Sequence, residues 1–167
     1  AGQKIAIVGP TGAGKTTTIR IVMGVFPADA GRVLVDGAPI RHGSLPIGYL
    51  PEERGLYPKQ KILEQLVYFA ALRGVPARRA KETVAYWRKR LGDEEYMNRR
   101  LDTLSKGNQQ KIQLVAALVA SPKMVILDEP FSGLDPVNAT LLKDVVKELI
   151  ADGKLVLFSS HQMNYVE

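Results

Sequence analysis

Hydrophobic positions along the chain form short continuous runs that alternate with segments of helical periodicity. Four apolar runs predict strands, at 4–9, 47–50, 123–128 and 154–158. Apolar residues at helical spacing predict five helices. One follows the first strand, two lie at 62–72 and 77–91, one follows Gly107 and the last begins at Pro136. An Asp-Gly pair inside 31–40 predicts a hairpin. This alternation of strands and helices is typical of an α/β domain.

Two amphipathic helices in succession set the middle of the chain apart from both ends. Gly74 and Pro76 separate them as stop signals. In the second helix four apolar residues share one face: Ala80, Val84, Trp87 and Leu91. The middle of the chain is therefore predicted to form a helical lobe.

Composition limits the kind of protein. The chain has 167 residues, 46% of them hydrophobic, and no apolar run of the roughly eighteen residues that a membrane span needs. Its first residues have neither the charged lead nor the long apolar stretch of a signal peptide, and it has no cysteine. These features predict a soluble, non-exported protein of the cytosol.

The net charge of +6 is concentrated in one segment. Residues 73–111 hold 11 Lys/Arg and 5 Asp/Glu, whereas the rest of the chain holds 12 of each. A nucleic-acid surface usually interleaves basic and aromatic residues, and the basic run at 78–90 offers only Tyr86 and Trp87. We therefore interpret the run as a solvated helical face, and we expect no nucleic-acid partner.

The most specific short motif is "GPTGAGKT", from Gly9 to Thr16. It satisfies the pattern G-x-x-x-x-G-K-[ST], with a predicted strand before it and a predicted helix after it. In such a loop backbone amides surround phosphate oxygens, the lysine reaches the terminal phosphates and the following hydroxyl contacts Mg²⁺. The candidate nucleotide-binding residues are Gly9, Thr11, Gly12, Ala13, Gly14, Lys15, Thr16 and Thr17. The alternative is a Gly-rich turn that only caps a helix.

Three acids follow the apolar run at 123–128: Asp128, Glu129 and Asp135. An isolated buried carboxylate is costly, so Asp128 at the end of a buried strand is predicted to face a phosphate-bound Mg²⁺ together with Thr16. Glu129 suits the activation of a water for attack on the terminal phosphate, and the alternative is an ordinary surface acid. Asp135 before Pro136 is typical of a helix N-cap.

On a series of motifs the chain resembles the ATP-binding cassette (ABC) ATPases. In the order of that family it carries the phosphate loop at 9–17, a lid loop "GYLPEERGLYP" at 48–58, the helical lobe, a signature "LSKGNQQK" at 104–111, "VILDEP" at 125–130, "SGLDP" at 132–136 and His161 in "SSHQM". The resemblance implies a P-loop NTPase (RecA-like) fold, with a mainly parallel sheet flanked by helices and an inserted α-helical subdomain. It divides the chain into a first part of the core at 1–57, the helical subdomain at 58–107 and the second part of the core at 108–167.

The resemblance also implies that two cassettes pair head to tail. Each ATP then lies between the phosphate loop of one cassette and the signature of the other, which assigns Ser105 and Gly107 to nucleotide bound by the partner. Taken alone, Ser105 is typical of a helix N-cap, and His161 of an ordinary loop residue. Within the family pattern His161 is expected to contact the terminal phosphate and to act with Glu129 in hydrolysis.

Three departures from the family pattern stand out. The signature has Lys106 and Asn108 where the family usually has Gly and Gln, and the lid loop has Glu52 where the family usually has Gln. Glu52 remains a candidate Mg²⁺ ligand. Only eight residues precede Gly9, and the chain ends six residues after His161. The resemblance therefore implies that strands, helices and an adenine-stacking aromatic residue of the family domain are missing at both ends.

The sequence as a whole predicts an Mg-dependent ATPase subunit of an ABC transporter. The lid and signature sequences are similar to those of bacterial efflux cassettes, including sodium-extrusion types. Its expected partners are a second cassette and a transmembrane permease, which would hold it at the inner face of the cell membrane. The alternatives are a non-transport ABC ATPase of the DNA-repair or translation type, and a nucleotide-binding module without turnover.

Overall fold

The computed structural model describes residues 2–40, 45–53, 55–92 and 94–162. Its strands are β1 (Lys4–Val8), β2 (Leu34–Val35), β3 (Ala38–Pro39), β4 (Ile47–Leu50), β5 (Met124–Leu127) and β6 (Leu155–Ser160). Its helices are α1 (Lys15–Val22), α2 (Ile62–Leu72), α3 (Ala77–Leu91), α4 (Lys106–Leu118) and α5 (Pro136–Ala151), with 3₁₀ turns at Glu94–Tyr96 and Leu101–Thr103. The predicted strands and helices are confirmed. Arg54 of the lid loop and Met163 of the histidine motif lie outside the described residues.

A parallel sheet of four strands, in the order β1-β6-β5-β4, forms the centre of the fold. Val8 pairs with Ser160, and Leu50 pairs with Leu127. All four carboxyl ends therefore lie at one edge of the sheet, because parallel strands point the same way. The loops after β1, β4, β5 and β6 meet at that edge, as in other open α/β sheets that bind ligands there.

β5 is the most buried strand, and its alternate residues serve two different apolar clusters. Met124 and Ile126 pack with Ile19 of α1 on one face of the sheet. Val125 and Leu127 pack on the other face, in the larger cluster that includes residues of α2, α3, α4 and α5. The two faces follow from the two-residue period of a strand, and helices cover both of them, as parallel sheets require.

The helical lobe consists of α2 and α3, which pack on each other and on α4. The four residues predicted to share one face of α3 are its buried residues: Ala80, Val84, Trp87 and Leu91. α4 also packs on β4 and thereby joins the lobe to the sheet. The predicted division between 107 and 108 falls inside α4, because Ser105 caps that helix and the helix begins at Lys106.

The predicted hairpin is the separate antiparallel pair of β2 and β3. Its two turn residues, Asp36 and Gly37, have φ angles of 51° and 77°. Positive φ at both positions is what a two-residue turn of type I′ demands, which explains the Asp-Gly pair. Across the four described ranges, no helix combines the length and apolar character that crossing a bilayer would take.

At Gly48 the backbone of β4 lies close to the backbone of α4. A Cβ at this position would lie 2.1 Å from the carbonyl oxygen of Ala117 and 2.8 Å from Cγ of Pro122. Because the nearer atom is backbone, β4 and α4 must separate to admit a methyl group. We expect Gly48→Ala to lower the free energy of unfolding by about 3 kcal/mol, measured by urea denaturation.

The matched control is Gly55→Ala, where the nearest atom, Cγ of Pro51, would lie 3.4 Å from the new Cβ. The backbone of Gly55 does not have a positive φ, so its change should stay within about 0.5 kcal/mol. Equal stabilities for the two variants would contradict the close approach of β4 to α4.

Candidate functional site

The phosphate loop between β1 and α1 depends on glycine for its backbone angles. Gly12 and Gly14 have φ angles of 83° and 88°, and no atom lies within 4 Å of a Cβ built at either position. Space is therefore available there, and the left-handed backbone is the reason for glycine. Gly14 is also the N-cap of α1 and supplies no side-chain acceptor, so the first amides of that helix have no side-chain cap.

Lys15 turns back over the loop, and its side chain is nearly buried, at 9% exposure. Its Nζ donates to the carbonyl oxygens of Gly9 (2.8 Å) and Pro10 (3.1 Å), and it lies 3.2 Å from Oε1 of Glu129. Three acceptors match the three donors of an ammonium group. Ala13 closes the turn by donating its amide to the Pro10 carbonyl at 3.1 Å.

Glu129 joins Lys15 to His161. Its Oε2 lies 2.8 Å from Nδ1 of His161 and accepts the backbone amide of the same residue at 3.3 Å. Burial by itself raises the pKa of Glu129, but the hydrogen bonds from His161 and Lys15 outweigh it and hold the pKa below its usual value. The carboxyl group is therefore ionised at neutral pH while these partners contact it. The backbone of Glu129 has a φ of 48°, which is uncommon for a non-glycine residue.

Asp128 is buried, at 1% exposure, and is held by neighbours on both sides of β5. Its amide donates to the carbonyl of Leu50 at 2.9 Å, and its Oδ1 accepts the hydroxyl of Ser159 at 2.6 Å. Its Oδ2 has a longer contact of 3.5 Å with the hydroxyl of Tyr49. Burial and the charge of Asp128 raise the pKa of Tyr49, so the phenol stays protonated.

A cavity of about 370 Å³ opens where these segments meet. It is lined by Thr11, Gly12, Gly14, Lys15, Thr16, Thr17, Glu52, Glu129, Ser132 and His161. The structure thus places most of the predicted phosphate-loop residues, the lid-loop acid, the candidate base and the histidine around one hollow. Ser105 and Gly107 are not among the described residues that line it, and they lie at the start of α4 instead.

The start of α4 contacts the start of α5. Ser105 is the predicted N-cap, and its Oγ accepts the amide of Asn108 at 3.3 Å. Asp135 is likewise the predicted N-cap of α5, and its carboxylate accepts both the amide and the side chain of Asn138, at 3.0 Å and 2.5 Å. A Cβ on Gly107 would lie 3.0 Å from Nδ2 of Asn138. Contact within this chain is therefore one reason for glycine at 107.

The oxygen donors of the site fit a magnesium ion that arrives with phosphate. Within the four described ranges no three His, Cys, Asp or Glu residues are grouped to hold a metal. Mg²⁺ in nucleotide sites takes only one or two protein oxygens and completes its shell with phosphate and water. Thr16 and Glu52 line the cavity and supply oxygens of that kind, whereas Asp128, which precedes Glu129 in the chain, is not among the described residues that line it.

Sequence reasoning missed three residues of this region: Ser132 on the cavity, and Tyr49 and Ser159 beside Asp128. Ser159 had a readable signal, since two hydroxyl residues end an otherwise apolar strand, "LVLFSS". Tyr49 and Ser132 lie inside the quoted motifs at 48–58 and 132–136, but the sequence analysis assigned neither of them a role.

Comparison with known proteins identifies the family. The model of the ABC transporter family matches residues 1–132. Over 166 residues the chain is 49% identical to the uncharacterized ABC transporter ATP-binding protein YhaQ of Bacillus subtilis, covering 99% of this chain and 56% of that protein. It is 37% identical to the probable multidrug ABC transporter ATP-binding protein YbhF of Escherichia coli, over 100% of this chain and 30% of that protein.

A solved structure of an ATP-binding subunit of an ABC transporter superposes with a TM-score of 0.85 at 29% identity. It covers 98% of this chain and 70% of the other. The fold is that of a P-loop NTPase, and the chain belongs to the ABC transporter family. It spans a little over half the length of YhaQ.

The ion pairs of Glu129 predict a pH dependence of stability. A carboxyl whose pKa is depressed in the folded state stabilises the fold above its ordinary pKa, and this contribution is lost as the pH falls through the lower folded value. We expect wild-type protein without nucleotide to be more stable than Glu129→Gln at pH 6. The difference should shrink as the pH falls below about 4.3, the ordinary glutamate value. Urea denaturation over this pH series measures it, and a difference that grows below that pH would contradict the pairing.

Proposed function

We propose that this protein is the ATP-binding and ATP-hydrolysing subunit of an ABC transporter of the efflux type. The observation that carries the proposal is the single cavity in which the phosphate loop, Lys15, Glu129 and His161 meet. The efflux assignment rests on the lid and signature sequences and on the multidrug description of YbhF.

The phosphate loop is the proposed cradle for the triphosphate. Its residues 9–17 place uncapped amides of α1 and the buried ammonium group of Lys15 at the cavity, and both attract anions. Thr16, Asp128 and Glu52 are the proposed ligands of Mg²⁺, which when bound would neutralise phosphate charge. Ser132 also lines the same cavity.

Glu129 is the proposed general base, and the structure holds its carboxylate in a paired state. Lys15 and His161 both contact its carboxylate. A terminal phosphate in the cavity would compete for the same two cationic or hydrogen-bonding partners, because both line the cavity wall. Loss of those partners would return the pKa of Glu129 towards its ordinary value and make it a better base.

Pairing of two cassettes completes the proposed site. Ser105 and Gly107 start a helix whose positive end would face the terminal phosphate bound by a partner. Their separation from the cavity of their own chain supports that assignment. We propose the same division as above, with the core at 1–57 and 108–167 and the helical subdomain at 58–107, and with α4 crossing the second boundary.

The proposed permease contact is a groove between the lid loop and the helical lobe. This lid groove holds about 210 Å³ and is lined mainly by apolar surface from Tyr49, Pro51, Gly55, Leu56, Phe69, Arg73, Gln113 and Ala116. Nε2 of the buried Gln113 has no hydrogen-bond partner within the described chain, so an incoming backbone carbonyl could satisfy it. Tyr57, Tyr68 and Leu72 add exposed apolar surface close by in the same loop and helix.

ATP turnover by the purified protein tests the proposed function. We expect Glu129→Gln to bind ATP as the wild type does and to release phosphate at least about a hundredfold more slowly, because the base is lost while the phosphate contacts remain. Phosphate release with and without Mg²⁺, over a series of protein concentrations, provides the measurement. The rate should rise more steeply than linearly with concentration, since two cassettes form each site.

Each arm of that experiment has a contrary outcome. Equal turnover in Glu129→Gln would remove Glu129 from the role of base. A strictly linear dependence on concentration, at concentrations where the protein is shown to be monomeric, would remove the paired site. ATP binding without any turnover in the wild type would reduce the protein to a nucleotide-binding module.

Reversing the charge at the lid groove tests the permease contact. We expect Arg73→Glu to reduce co-purification of the full-length protein with its membrane subunit at least about tenfold, a loss of roughly 1.4 kcal/mol in binding. Lys81→Glu makes the same change on the exposed face of α3, outside the lid groove, and should leave co-purification unchanged. Equal losses in both variants would indicate a general charge effect and contradict docking in the groove.

A further inference from the structure

One buried hydroxyl connects the two adjacent acids at the end of β5. Ser159 lies on β6 and is fully buried, at 0% exposure. Its Oγ donates to Oδ1 of Asp128 at 2.6 Å and accepts the backbone amide of Glu129 at 2.8 Å. A serine hydroxyl has one donor and two acceptor positions, so a single group satisfies both neighbours. The family pattern assigned no role to this residue.

The two hydrogen bonds of the Ser159 hydroxyl lie at the carboxyl end of β5, where the chain leaves the sheet. The last β5 residue that pairs with β6 is Leu127. Beyond it the amide of Asp128 turns towards β4, where it donates to Leu50, and the amide of Glu129 turns towards β6, where it donates to Ser159. The Ser159 hydroxyl therefore replaces a ladder hydrogen bond at the residue with the left-handed backbone. Without it, the positive φ of Glu129 would have one fewer restraint.

We propose that Ser159 is a positioning residue for both acids, an inference that rests on the proposed ATPase function. By engaging Oδ1 of Asp128 it fixes the rotation of that carboxylate. It leaves Oδ2, which among the described residues has only the 3.5 Å contact with Tyr49, as the oxygen available to a cation. By holding the amide of Glu129 it keeps that side chain on the cavity, in contact with Lys15 and His161. Ser159 itself is fully buried and is not among the described residues that line the cavity.

The next residue offers a matched control. Ser160 is also buried, at 2% exposure, and its hydroxyl bonds to the backbone of Gln162 and to neither acid. Alternation along β6 sends the two hydroxyl groups to opposite faces of the sheet. Removing either one deletes the same atom from the same strand, and only Ser159→Ala disconnects the acids.

The test compares Ser159→Ala, Ser159→Cys and Ser160→Ala in the purified protein. Loss of an outer-shell partner of a metal ligand typically reduces metal affinity or activity 10- to 100-fold. We therefore expect Ser159→Ala to lower kcat about 10- to 100-fold, and to raise both the KM for ATP and the Mg²⁺ concentration needed for half-maximal rate. Cysteine, close in size and a weaker donor, should give an intermediate rate, and Ser160→Ala should stay within about twofold of the wild type.

A binding measurement separates this proposal from the ATPase assignment. Affinity for a fluorescent ATP analogue is measured with and without Mg²⁺, after thermal unfolding has shown that each variant is folded. Ser159→Ala should bind the analogue normally in EDTA and lose most of the gain in affinity that Mg²⁺ gives the wild type. An unchanged gain, or an equal loss in Ser160→Ala, overturns the positioning role. Absence of turnover in the wild type overturns the ATPase assignment alone, because the binding comparison still decides the role of Ser159.

Discussion

Two neighbouring carboxylates at the end of a fully buried strand are the constraint on which this structure depends. Asp128 and Glu129 are both nearly inaccessible, and buried negative charge is unfavourable unless it is paired or hydrogen-bonded. Groups from three other segments contact these carboxylates. Lys15 of the phosphate loop and His161, just after β6, contact Glu129, and Ser159 of β6 donates to Asp128. Two of these groups, Lys15 and His161, also line the cavity. Stability of this region and its proposed chemistry therefore have one electrostatic origin.

The parallel sheet is what makes that compensation possible. Residues 15, 49, 128 and 159 are far apart in the chain, yet each follows or ends a strand whose carboxyl end lies at the same edge. β5 lies between β4 and β6. The amide of Asp128 therefore donates to β4, and the amide of Glu129 donates to Ser159 of β6. α1 buries one face of β5 and the larger helical cluster buries the other. Polar side chains that follow β5 therefore lie at the edge of the sheet formed by the carboxyl ends of the strands.

Away from the cavity, a second set of contacts links the elements that are proposed to face a partner cassette. The N-cap of α5 holds Asn138 against Gly107, next to the N-cap of α4, so the two helix starts are held together. The lid groove is a separate region, between β4 and the helical lobe. Tyr49 links this groove to Asp128, because Tyr49 lines the groove and its hydroxyl contacts the Asp128 carboxylate. Thus β4 physically connects the proposed permease contact with the proposed magnesium ligand.

Local rules in the sequence were enough for the elements and for most of the residues that line the cavity. Helical spacing in 77–91 named the buried face of α3, Asp36-Gly37 named the hairpin turn, and Ser105 and Asp135 were readable as caps, because each depends on residues within one turn or strand. The phosphate-loop pattern likewise carries its own mechanism. Only the tertiary structure decided that Glu129 is paired with both Lys15 and His161, that Asn138 backs Gly107, and that Ser159 joins the two acids. Those contacts bridge up to 114 positions of chain, from Lys15 to Glu129, and no spacing rule reports which side chains meet once strands distant in sequence become neighbours.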